Sequence, residues 1–254
     1  MITIKSEAEI ELMRLGGKIL AGVFEVVGKA IREGITTLEL DQLAERYILD
    51  HGATPSFKGY GKDTGNPFPA TLCTSVNDEL VHGIPSAEKI LKNGDLLKVD
   101  AGVYFRGFHT DAARTFAVGK ISAEAQKLMA VTEGSFWEGI KCLKSGARMS
   151  GYSKSVQKYI EENGFSVVRN LVGHGIGKEV HEDPYVPNFY NRKYSEIYLA
   201  SGVTLALEPM VNAGGFETAL GHDGWVFKSK DGSLTAHYEN TILITKEGTE
   251  VLTI

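Results

Sequence analysis

Two aspartates, Asp100 and Asp111, fall in one candidate hairpin running from Leu96 to Asp111. Arg106-Gly107 separates its two apolar runs and suits a two-residue turn. Such a turn makes Phe105 face Phe108, Asp100 face Ala113 and Gly102 face Asp111. Alternate side chains share one face of a strand, so both aspartates project from the same face. As diagonal neighbours their backbones lie roughly 7–8 Å apart, and the carboxylates can converge. A three-residue loop would put them on opposite faces. Two carboxylates meeting between apolar strands repel unless a proton or a cation sits between them.

More groups of the same chemistry lie downstream. His174 sits in the glycine-rich Gly173-His174-Gly175-Ile176-Gly177. Glu208 ends the apolar run Val203-Thr204-Leu205-Ala206-Leu207 and precedes Pro209. Glu239 follows Thr235-Ala236-His237-Tyr238 and leads into Thr241-Ile242-Leu243-Ile244. Four carboxylates and one imidazole suit two divalent ions of hard-to-borderline character, such as Mn, Fe(II) or Co(II). A zinc finger would show clustered thiolates instead. Taken singly, a strand aspartate is more often a hydrogen-bonded structural residue, and a loop histidine more often caps backbone groups. The five together, in this order and these settings, favour a metal centre.

The elements that must carry these residues show a faint repeat. Shifted by 112 positions, Gly22, Phe24, Lys29, Gly34, Tyr47, Ile48 and Gly52 meet Gly134, Phe136, Lys141, Gly146, Tyr159, Ile160 and Gly164. Each copy reads as a long helix, a glycine break and a shorter helix. The first long helix opens on the capping box Ser6-x-x-Glu9 and stops near Gly34. The next opens on Thr36-x-x-Glu39 and stops near Gly52. The second pair is expected over Ser122–Leu143 and Tyr152–Asn163, with strand-like runs after each pair. This organisation predicts an α+β fold, with two pseudo-twofold halves of about 6–118 and 122–254 sharing a central antiparallel sheet. The first half carries Asp100 and Asp111, the second His174, Glu208 and Glu239, so the metal centre belongs where the halves meet.

Composition bounds the class without naming it. A chain of 254 residues with 43% hydrophobic content can bury a sizeable core. A net charge of -5 argues against general nucleic-acid affinity. The opening residues show no basic segment followed by a long apolar one, and no run reaches the roughly 18 apolar residues of a membrane helix. Cys73 and Cys142 make no disulfide framework, which fits a reducing cytoplasm.

Across almost the whole chain, Val81-His82-Gly83-Ile84-Pro85, Val99-Asp100, Thr110-Asp111, Gly173-His174-Gly175-Ile176-Gly177, His181-Glu182-Asp183-Pro184, Glu208-Pro209-Met210 and Glu239-Asn240-Thr241 resemble the motifs of type I methionine aminopeptidases. The resemblance implies a pita-bread fold and removal of N-terminal methionine from nascent chains, with preference for a small second residue. It implies two divalent ions (Co, Mn, Fe(II) or Zn). Asp100 would bind one ion, His174 and Glu208 the other, and Asp111 and Glu239 both. Glu208 would also move a proton from water to the leaving amine. His82 and His181 would contact substrate without binding metal. Phe68, Cys73 and Trp225 would line the methionine slot, with Tyr60 a weaker candidate. The implied partners are N-termini of nascent polypeptides at the ribosome, acted on by a cytoplasmic monomer. Neither a nucleic acid nor a membrane is implied.

Three features depart from the family pattern. The loop Gly61–Pro67 is longer than usual, Val180 replaces a frequent aromatic, and Asn191–Leu199 lacks the usual glycine and proline. The last two and the loop bear on the rim of the pocket. A proline-specific peptidase of the same fold is the nearest rival, since it would use the same ligands. Such enzymes carry an extra N-terminal domain, whereas the first helix here starts near Ser6. A non-catalytic binding protein of this fold would have lost ligands, and all five are present. The short interval between His174 and Glu208 favours type I over type II.

Overall fold

The computed structural model describes residues 1–194 and 196–254; position 195 of the Asn191–Leu199 stretch lies outside the described residues. Four helices carry the framework: α1 (Glu7–Ala30), α2 (Thr37–Asp50), α3 (Ala123–Ile140) and α4 (Met149–Glu162). Both predicted capping boxes form. The Ser6 hydroxyl receives the Glu9 N–H while the Glu9 carboxylate receives the Ser6 N–H, and Thr36 and Glu39 do the same. Shifted by 112 positions, the limits of α2 coincide with those of α4.

The repeat has a packing reason. A Cβ on Gly22 would sit 2.0 Å from the Tyr47 hydroxyl, and one on Gly134 would sit 2.7 Å from the Tyr159 hydroxyl. In both halves, then, a tyrosine of the shorter helix presses on the backbone of the longer one, and only glycine leaves room. Gly52 and Gly164 both turn the chain in the left-handed region, with φ of +69° and +85°. Of the repeated residues only Lys29 and Lys141 are exposed with no such role.

Three expected boundaries move. The first helix, α1, stops at Ala30 rather than near Gly34, and α3 stops at Ile140 rather than Leu143. The fourth helix begins at Met149, three residues before the expected Tyr152, behind Arg148, which makes no side-chain cap. Its first N–H groups are satisfied from a distant segment instead. Met149 donates to the Ile197 carbonyl at 2.9 Å, and Ser150 donates to the Glu196 carboxylate at 3.1 Å. A start capped by tertiary contacts leaves no local signal.

A nine-stranded sheet, antiparallel in every pairing, runs through both halves. Its strands Leu96–Phe105 and Phe108–Ala117 form the predicted hairpin in the predicted register: Phe105 faces Phe108, Asp100 faces Ala113 and Gly102 faces Asp111. Arg106 and Gly107 make the turn with φ of 48° and 99°, both left-handed, as the twist of a two-residue hairpin requires. One sheet face is apolar. Val99, Ala101, Val103 and Ala112 pack under α1 and α2. Alternation then sends Asp100 and Asp111 to the opposite face. Next to this hairpin lies Glu239–Ile244, paired to it at Glu239–Ala113 and Asn240–Ala112. Thr204–Leu207 and Gly173–Gly175 follow outward. The second half packs α3 and α4 over Leu205, Leu207 and Ile242. The fold is the expected pita-bread arrangement, with the two halves meeting along the Phe108–Ala117 and Glu239–Ile244 pair.

Candidate active site

The candidate ligands, histidines and slot residues named from the sequence converge on one pocket. Phe68, Cys73, His82, Asp100, Asp111, His174, His181, Glu208, Trp225 and Glu239 line a cavity of about 90 Å³, joined by Phe57 and Tyr60. Donor atoms of Asp111, His174 and Glu239 lie within 4.8 Å of one another. His174 Nε2 is 3.6 Å from Oε1 of Glu208. The register accounts for the convergence. His174 faces Ala206, Asn240 faces Leu207, and Glu239 faces Ala113, so neighbouring strand positions bring the five groups to one face.

The electrostatics are those of a site short of positive charge. Burial pushes the Asp100 carboxyl up to about 7. Burial first, and then neighbouring carboxylates, hold Asp111, Glu208 and Glu239 well above their ordinary range. Oδ1 of Asp100 and Oδ1 of Asp111 are buried with no hydrogen-bond partner. Histidine offers no compensating charge, because burial lowers His174 to about 3 and His82 to about 4, and lowers His181 too. Nδ1 of His174 lies 2.9 Å from the Gly175 carbonyl. A carbonyl only accepts, so Nδ1 carries the proton and Nε2 presents a bare lone pair to the cluster. Orphaned carboxylate oxygens, raised carboxyl groups and a bare imidazole nitrogen together fit hard-to-borderline divalent cations.

Two further histidines flank the carboxylates on rigid turns. His82 has φ of +61°, an uncommon left-handed conformation for a side-chain-bearing residue. Gly83 beside it is pinned, its N–H donating to Ser75 Oγ at 3.0 Å and its carbonyl receiving the Thr74 N–H at 2.7 Å. A Cβ on Gly83 would lie 2.2 Å from the Thr74 carbonyl oxygen. The His181 ring packs on His174 at 4.3 Å between centroids and on Tyr60 at 5.1 Å. Its turn is held by Glu182, which receives the Lys178 N–H at 2.7 Å and pairs with buried Lys5 at 2.8 Å. The sequence marked Glu182 only as part of a motif; its role in holding that turn depends on Lys5, far away in the chain.

An apolar slot adjoins the carboxylates. Phe57, Phe68, Ala70, Cys73 and Val180 form a buried cluster against which Ile84 and Trp225 pack. Phe68 meets Trp225 edge-on at 5.2 Å. Val180 thus fills a place in this slot with less bulk than an aromatic. The long loop closes on itself: Gly59 donates to the Phe68 carbonyl at 2.8 Å and Phe68 to the Tyr60 carbonyl at 2.9 Å. Asn66 reaches Asp223 beside Trp225 at 3.2 Å, which ties the loop to the slot wall. The described residues Asn191, Arg192, Tyr194, Glu196 and Ile197 do not line this pocket. They line a separate groove with Met1 and Tyr185, because contacts at the start of α4 hold them there. Sequence reasoning also passed over His237, whose buried ring stands beside Glu208 and Glu239.

The chain matches the pattern of metallopeptidase family M24 over residues 11–246. It belongs to that family. A methionine aminopeptidase of Clostridium perfringens is 51% identical, with 100% of this chain and 99% of that protein covered. The crystal structure of a methionine aminopeptidase from Thermotoga maritima superposes with a TM-score of 0.95 at 40% identity, covering 100% of this chain and 99% of that one. An Xaa-Pro dipeptidase from Bacillus anthracis shares the M24 fold at a TM-score of 0.79 and 26% identity, but this chain covers only 61% of it. Both of these methionine aminopeptidases match this chain end to end, whereas the proline-specific relative is longer.

Proposed function

We propose that this chain is a metal-dependent aminopeptidase that hydrolyses the bond after an N-terminal methionine. The observation that carries the reading is a buried set of four carboxylates and one bare imidazole nitrogen placed against a small apolar slot. Asp100 would hold one divalent ion, His174 and Glu208 a second, and Asp111 and Glu239 both. When bound, such a pair supplies a water of lowered pKa and a Lewis acid for the scissile carbonyl.

The chain's own groups do the rest. Glu208 takes a proton from the attacking water and delivers it to the departing amine. His181, neutral and fixed by its turn, donates to the carbonyl oxygen as negative charge develops there. His82 orients the peptide from the opposite wall. Phe68, Cys73 and Trp225 receive the methionine side chain, whose flexible thioether suits an irregular apolar slot. Tyr60 and the Gly61–Pro67 loop set the rim, which favours a small second residue. The natural substrates are N-termini of nascent polypeptides met in the cytoplasm at the ribosome, and the chain acts as a monomer. Among the described residues, no helix is long and apolar enough to cross a membrane.

The test is turnover of Met-Ala-Ser beside Leu-Ala-Ser and Ala-Pro-Ser, after chelation and return of one defined metal. Cleavage of Met-Ala-Ser alone, lost with chelator and regained with metal, is the expected result. Efficient cleavage of Ala-Pro-Ser with none of Met-Ala-Ser would instead make this a proline-specific enzyme.

A further inference from the structure

His237 lies directly against the carboxylate cluster, 1% exposed, and neither of its ring nitrogens has a hydrogen-bond partner. Its backbone is clamped. The His237 N–H donates to Thr115 Oγ1 at 3.0 Å, and that hydroxyl donates back to the His237 carbonyl at 2.8 Å. Thr115 stands on the same hairpin that carries Asp100 and Asp111. The strand Thr235–His237 therefore aims the imidazole at a fixed point. That point is the outer edge of two carboxylates: Nε2 is 3.7 Å from Oε2 of Glu208 and 4.0 Å from Oε2 of Glu239. Both distances exceed a formed hydrogen bond by less than an ångström.

Glu208 is thus flanked by two imidazoles, His174 at Oε1 and His237 at Oε2. The two rings differ in one respect. Nδ1 of His174 is committed to the Gly175 carbonyl, so its Nε2 is a lone pair. Nδ1 of His237 faces no acceptor, so its ring proton is free to sit on Nε2, where carboxylate oxygens await it. A buried imidazole N–H left unpaired costs about 1–3 kcal/mol, so the favoured tautomer is the one that finds the carboxylates.

We propose that His237 is a positioning residue of the metal centre, its Nε2–H holding the outer oxygens of Glu208 and Glu239 so that both carboxylates keep the orientation in which they bind the ions. This rests on the reading of Glu208 and Glu239 as ligands. The role is that of an outer hydrogen-bond partner, whose loss typically weakens metal binding about 10–100-fold.

The experiment is calorimetric titration of MnCl2 into the chelated full-length protein, as wild type, His237→Gln and His237→Leu. Glutamine keeps an N–H donor, and leucine keeps bulk without one. His237→Leu is expected to bind Mn(II) about 10–100-fold more weakly, with kcat reduced more than KM is raised, and His237→Gln is expected to recover most of the loss. Equal Mn(II) affinity in wild type and His237→Leu overturns the proposal and leaves the metal centre intact. Absence of Mn(II) binding by wild type overturns the metal reading itself. A measurement on wild type stands should the leucine variant not fold: nitrogen NMR of the zinc-loaded protein with labelled histidine. A proton on Nε2 of His237 supports the role, and a bare Nε2 refutes it.

Discussion

The Thr241 hydroxyl receives the Asp111 N–H at 2.8 Å and donates to the Asp111 carbonyl at 2.9 Å. This reciprocal pair crosses the line where the two halves of the sheet meet, beside the Glu239–Ala113 pairing. It fixes the backbone of one proposed bridging ligand from the strand of the other. Thr241→Val keeps the shape and removes both bonds, leaving a buried N–H and a buried carbonyl without this partner. The variant should lose about 1–3 kcal/mol of stability in urea unfolding, together with affinity for metal. Unchanged stability would mean that the strand pairing alone holds Asp111.

Asp111 and Glu239 are the proposed shared ligands, so either alanine variant should abolish turnover and sharply weaken both metal sites. Calorimetry showing two unchanged sites in Asp111→Ala would refute the assignment. The same residues carry a cost without metal, since burial and each neighbouring carboxylate disfavour their charge. Asp111→Asn should therefore raise the urea midpoint of the chelated protein while eliminating its activity. A catalytic loss accompanied by a stability gain separates a functional charge from a structural one.

The same imbalance sets a pH dependence. The Asp100 carboxyl titrates near 7, with Asp111, Glu208 and Glu239 also raised by burial and mutual repulsion. Unfolded carboxyls titrate near 4. Without metal, the folded chain therefore binds more protons than the unfolded chain between about pH 4 and 7. The contribution of these groups is fully present below that window and is lost as pH rises through it. The urea midpoint of chelated protein should fall between about pH 5 and 7, and excess Mn(II) should offset the fall. A chelated midpoint that rises over this range would contradict the charge arrangement.

The hairpin was legible because its determinants are local. Arg106-Gly107 set the turn, and period-two alternation then fixed which face Asp100 and Asp111 share. Both capping boxes were legible for the same reason. The start of α4 was not, because Glu196 and Ile197 cap it from a distant segment. The placement of Glu196 and Ile197 follows from those same contacts, so it could not be read from their own composition. His237 escaped notice because its setting is made by Thr115, Glu208 and Glu239, which adjoin it only in the folded sheet. The gathering of the five proposed ligands was anticipated from their residue types, order and settings and then from motif resemblance, whereas strand register alone placed only the aspartate pair.

His181 separates chemistry from metal binding. Its ring touches His174 and Tyr60, and burial keeps it neutral and able to donate one hydrogen bond. One donor to a developing oxyanion is typically worth about 10²–10³-fold in rate. His181→Ala should lose kcat/KM on that scale with its metal content at the wild-type level. Loss of an ion in this variant would make His181 a ligand and remove its proposed role.

The methionine slot offers the sharpest test of specificity. Cys73 is 4% exposed, sits opposite Asp100 in the strand pairing and packs in the cluster with Phe68 and Val180. Directly paired residues share a sheet face, so the Cys73 side chain bounds the slot on the side where Asp100 stands. Cys73→Phe adds a ring to a cavity of about 90 Å³. Overpacking of this kind typically costs about 1–3 kcal/mol, small enough for the fold to survive. Cleavage of Met-Ala-Ser should collapse while Mn(II) titration remains that of wild type. Equal loss of metal and activity would mean that the ring has disturbed Asp100 and would leave the slot without its assigned wall. Wild-type cleavage would place the methionine side chain elsewhere, with the Tyr60 and Trp225 side of the pocket the next place to alter.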